Sequence, residues 1–171
     1  MLIAVTAVVL VMTVAAHAGR DSKAVVAQNL VLQVFGPATT DPSGCTVGDL
    51  LDKGKKVGQQ TFCFDSFTGG PAGDAIITGH TTLALPAGNL TGTGVSHADA
   101  ITPFATGPLA LPPALVDPAN EWFAFVEDRT ITGGTKSYKN ASGSIRVSGL
   151  SVSRPSSGLI WVNATIVADI R

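Results

Sequence analysis

The chain has 171 residues, of which 45% are hydrophobic and only 13% charged, with 19 glycines and a net charge of −1. That composition excludes a disordered polyelectrolyte and suits one domain with a real core. No basic run is present, so nucleic acid binding has no electrostatic footprint here.

Residues 1–18 stand apart from the rest. The segment 2–16 is almost wholly apolar, and Ala16-His17-Ala18 precedes Gly19. This reads as a secretory signal cleaved after Ala18, although no positive charge leads it. The rival reading is a membrane anchor, but the apolar run falls short of the roughly twenty residues that span a bilayer. The expectation is a secreted mature chain, 19–171, folded as one domain.

Beyond the signal the chain reads as short alternating runs between turn residues, with no convincing helix. Strands are expected at 28–35, 57–67, 75–85, 89–95, 101–111, 121–132, 144–152 and 159–170. Residues 37–44 read as a proline-bearing loop and 53–56 as a charged turn. Pro103 and Pro108 make the fifth strand an edge or irregular one. The last strand shows its faces plainly. Ile160, Val162, Ala164, Ile166, Ala168 and Ile170 form an apolar row, while Asn163, Thr165 and Asp169 lie on the other. Eight antiparallel strands without covering helices fit either a sandwich or a closed barrel, and an eight-stranded barrel can hold one small ligand.

Cys45 and Cys63 are the only cysteines. In an oxidising compartment they are expected to form a disulfide, with two buried thiols as the alternative. Asn89, Asn140 and Asn163 stand in N-x-Ser/Thr sequons and become glycan acceptors if the source is a eukaryote. His80 and His97 are isolated, so no metal site is expected. Neither a phosphate loop nor a nucleophile elbow occurs, and no cofactor is expected.

The strand 121–131 is the richest in chemistry. Phe123, Phe125, Glu127, Arg129 and Ile131 share one face, and Trp122, Ala124, Val126, Asp128 and Thr130 share the other. If the first row faces a lumen, two rings and a Glu-Arg pair line it. If the second does, Asp128 is the buried acid. A desolvated carboxyl could position or protonate a ligand, whereas a surface ion pair would contribute under about 1 kcal/mol. Asp65, after Phe62 and Phe64, is either a turn cap or a carboxylate at a barrel mouth.

Two stretches carry a family resemblance. The segment 57–79, VGQQTFCFDSFTGGPAGDAIITG, resembles the dirigent pattern of a glycine strand ending in Asp, followed by Thr, Gly-Pro and a second glycine strand. The segment 131–143, ITGGTKSYKNASG, is similar to the later dirigent signature through Gly133, Gly134, Thr135, Tyr138, Lys139, Ala141 and Gly143. Allene oxide cyclases share that superfamily and a similar glycine turn. The resemblance implies an all-β, eight-stranded antiparallel barrel with a hydrophobic pocket, cofactor-free, in a homodimer or homotrimer. It implies a ligand held in one conformation for cyclisation, or for stereoselective coupling of radicals made by a separate oxidase. Carried over by position, Asp65 matches the pocket aspartate and Asp128 the acidic residue before Gly-Gly-Thr, with Tyr138 in the later signature. The strand reading adds Glu127 and Arg129 as candidates beside them and Phe62, Phe64, Phe123 and Phe125 as the residues shaping the cavity. Dirigent proteins usually have Gly after Gly-Gly-Thr and Arg before the final Gly; this chain has Lys136 and Ser142 there. A non-catalytic, lipocalin-like carrier of an apolar ligand is the alternative.

Overall fold

A computed structural model describes residues 27–41, 43–69, 74–101, 120–154 and 159–171. The expected signal segment 1–18 and the stretch 102–111 of the expected fifth strand lie outside them. Eight strands run in chain order: β1 (Gln28–Thr40), β2 (Thr46–Asp52), β3 (Lys55–Gly69), β4 (Ala75–Leu85), β5 (Gly88–Ile101), β6 (Glu121–Gly134), β7 (Gly143–Arg154) and β8 (Leu159–Ile170). Each pairs antiparallel with the next, and β8 returns to β1 from Gln28↔Ile170 to Ala38↔Ile160. The sheet is therefore a closed barrel rather than a sandwich, and each of the eight described strands has a paired neighbour on both sides.

The count of eight matches expectation, but the set differs. β2 was not expected, and of 101–111 only Ile101 is described, as the last residue of β5. Residues 37–40, read as loop, continue β1. Pro37 is tolerated there because the β1–β2 register breaks between Val34 and Thr39, where a missing N–H costs little.

The lumen has two halves. The lower half is packed solid by Leu50, Leu83, Leu90, Ile145, Ile166 and Ile170, all essentially inaccessible to solvent. The segment between β6 and β7, flanked by Gly133, Gly134 and Gly143, closes this end. Its short 3-10 helix, Lys136–Tyr138, drops the Tyr138 ring into the core, where the phenol oxygen accepts a bond from Gln28 Nε2 at 3.3 Å. The Thr135 hydroxyl receives the Asn89 N–H at 3.0 Å, and Ser142 and Arg171 exchange backbone bonds across the same end. The 131–143 signature thus builds a plug.

Candidate functional site

The upper half of the barrel is hollow. A cavity of about 290 Å³ lies between Phe62, Phe64, Phe67, Phe123 and Phe125 on one side and Val34, Val162 and Ala164 on the other. Alternation along β6 carries Phe123, Phe125 and Glu127 inward together, so the first of the two rows faces the lumen. All four predicted phenylalanines line the cavity.

A bulge brings in a fifth ring that the alternation of 62 and 64 would turn outward. The β3–β4 register shifts between Phe64 and Ser66, so Asp65 and Ser66 oppose Thr78 as one step. Parity flips there, and Phe67 rejoins the lumen opposite Ile77. The spacing of Phe62, Phe64 and Phe67 was the available signal for this.

At the floor the side chains stack in layers. Gly79 leaves room for the Phe62 ring, since a Cβ on Gly79 would stand 2.5 Å from Phe62 Cε2. The Arg129 guanidinium lies over that ring, its Cζ 4.2 Å from the centroid, in cation–π geometry. Arg129 Nε and Nη2 both donate to Glu127 Oε2, the first at 3.0 Å. The two side chains are 1% and 7% exposed. Glu127 reaches the cavity itself, and Ser96, its direct partner across β5–β6, bonds to its carboxyl. Burial pushes the Glu127 carboxyl above its ordinary 4.5, with the Arg129 charge and the Arg129 and Ser96 hydrogen bonds working against that shift. Arg129 Nη1 is buried with no hydrogen-bond partner among the described residues. The pair therefore presents one carboxyl to an otherwise greasy chamber.

Three of the expected site residues stand elsewhere. Asp65 is the bulge residue on the outer wall, half exposed and 2.8 Å from His80 Nδ1, and it neither caps a turn nor enters the lumen. Asp128 faces outward, 72% exposed, with Arg146 Nε at 3.5 Å. Its parity on β6 is opposite to that of Glu127, which decides the matter. Tyr138 is buried at the plugged end and does not line the cavity. Sequence reading missed Ser96, Gln60 and Ser151 among the lining residues; small polar side chains in strands carry no inward signal of their own.

The disulfide is present: Cys45 and Cys63 are joined, with Cα atoms 4.3 Å apart, on the outer wall beside Thr46 and Phe62. Asn89, Asn140 and Asn163 are all exposed. His97 is exposed as well, and no cluster of three metal-binding side chains occurs among the described residues.

No family model, curated protein or solved structure matches this chain.

Proposed function

We propose that this barrel binds a small apolar molecule in its upper half and holds it in one conformation. The observation that carries this is the asymmetric lumen: one half is filled by buried apolar side chains, the other is a phenylalanine-lined hollow with, among the described residues, a single ionisable side chain at its floor. Ligand sites are mostly apolar with a few placed polar groups, which is this pattern. The Glu127 carboxyl can donate or take up a proton while the rings restrict the ligand, the combination that cofactor-free cyclisation or stereoselective coupling requires. The resemblance to dirigent and allene oxide cyclase barrels supports the same reading; a coupling role would need a separate oxidase to make the radicals. A carrier without chemistry is the second reading, favoured by the distance of Asp65, Asp128 and Tyr138 from the hollow.

Filling the chamber tests the binding claim. Ala98 lines it and is buried. Ala98→Phe is expected to weaken binding of a neutral apolar fluorophore such as N-phenylnaphthylamine at least tenfold, with the far-ultraviolet spectrum unchanged. Asp65→Asn and Asp128→Asn are expected to leave binding as it is. If the wild-type protein shows no binding, or Ala98→Phe binds equally well, the proposal fails.

The same reading includes secretion and self-association. The disulfide and the exposed sequon asparagines support an extracellular mature chain. Phe35, Trp161 and Leu150 expose 56%, 39% and 39% of their surfaces on the adjoining strands β1, β8 and β7, and the Phe35 and Trp161 rings meet edge-on at 5.6 Å. Such a patch supports a homodimer or homotrimer. Native mass spectrometry of the exported protein should show two or three copies of a chain beginning at Gly19. A monomer, or a chain retaining Met1, would contradict the respective half of this expectation.

A further inference from the structure

Building on the proposed ligand barrel, we infer that the hollow selects a compact, neutral, hydroxyl-bearing ligand and rejects the corresponding carboxylate. Size comes first. At about 290 Å³ the cavity sits at the low end of ligand sites, which run to roughly 1,000 Å³. That size suits a compact molecule better than one that fills the upper range of ligand sites.

Charge comes second. Among the described residues, Glu127 is the only ionisable one lining the cavity. Arg129 donates twice to Oε2, so the lone pairs of Oε1 are not taken by the guanidinium, and the carboxyl that Ser96 also bonds can accept from a donor on a ligand. A ligand hydroxyl completes that arrangement. A ligand carboxylate would bring a second negative charge to the same desolvated floor, where like charges repel strongly. Arg129 does not meet a ligand directly in the wild-type protein, because it lies beneath the floor, against Glu127 and the Phe62 ring, and does not line the cavity. The remaining polar lining groups, Gln60, Thr46, Ser151 and Ser153, are uncharged.

The test compares citronellol with citronellic acid by titration calorimetry in slightly alkaline buffer, which favours the ionised forms of Glu127 and the acid. The alcohol should bind at least tenfold more tightly. Glu127→Gln removes the negative charge and leaves that of Arg129, so the preference should invert toward the acid, with thermal unfolding as the check on folding. Equal or tighter binding of the acid to the wild-type protein overturns the inference and leaves the ligand-barrel reading standing. An unchanged preference in a folded Glu127→Gln variant also overturns it. If neither probe binds, the ligand-barrel reading fails and takes the inference with it. Should Glu127→Gln not fold, the wild-type comparison decides alone.

Discussion

Replacing Arg129 with methionine should destabilise the fold by about 3–5 kcal/mol, the usual cost of breaking a buried ion pair from one side. Methionine roughly matches the volume, so the loss is electrostatic. Glu127 would remain almost fully enclosed, without the two N–H groups that hold its Oε2. Set against a typical total stability of about 5–15 kcal/mol, that loss is large. The pH dependence identifies the cause. In the wild-type protein burial already holds the Glu127 carboxyl above 4.5, so the folded state keeps its proton to higher pH than the unfolded chain does. The folded state binds more protons in that window, so the Glu127 contribution to stability is full below about pH 4.5 and declines as pH rises through the raised value.

Without Arg129 the carboxyl rises further, and the decline extends to higher pH. The deficit of Arg129→Met should therefore grow with pH in denaturant titrations run from mildly acidic to mildly alkaline buffer. A deficit that does not vary with pH would assign the loss to packing. Asp41 works in the opposite sense in a separate window: hydrogen bonds led by Ser43 hold it below 3.8, so its contribution is lost as pH falls through that lower range. Replacing both partners with apolar residues, Glu127→Leu with Arg129→Met, should recover most or all of the stability, because no uncompensated charge remains.

Removing the disulfide is expected to cost about 3 kcal/mol, from the loop entropy restored to the unfolded chain over a separation of 18 residues. Its position adds a local effect. β2 is the shortest strand, and its pairing with β1 is interrupted between Val34 and Thr39. Cys45 ties the start of β2 to β3 beside Thr46 and Phe62, two residues of the cavity wall. Cys45→Ser with Cys63→Ser should therefore lower the denaturation midpoint and weaken ligand binding together. Full stability in the double variant would show that strand pairing alone holds this wall.

The elements that sequence reading missed share one cause. β2 places Thr46 and Gly48 inward, and the upper part of β5 places Ser96 and Ala98 inward. These residues border the hollow, where space must be left open. Large apolar side chains at every second position would fill it. Without them the period-two signal fades, and the reading stopped at residue 95 and passed over 46–52. Where the lumen is packed, as along β8, alternation was plain and the strand was read correctly.

Composition and alternation by themselves determined an all-β chain of about eight strands, a cysteine pair free to join, and a strand carrying either Glu127 or Asp128 inward. They did so because side-chain parity and turn chemistry are local properties. Closure of β8 onto β1 decided the rest: which row of β6 faces in, that Asp65 stands on the outer wall while the bulge there returns Phe67 to the lumen, and that Tyr138 plugs the far end. Those outcomes depend on register between strands distant in sequence, and register is fixed only when the whole cylinder is assembled.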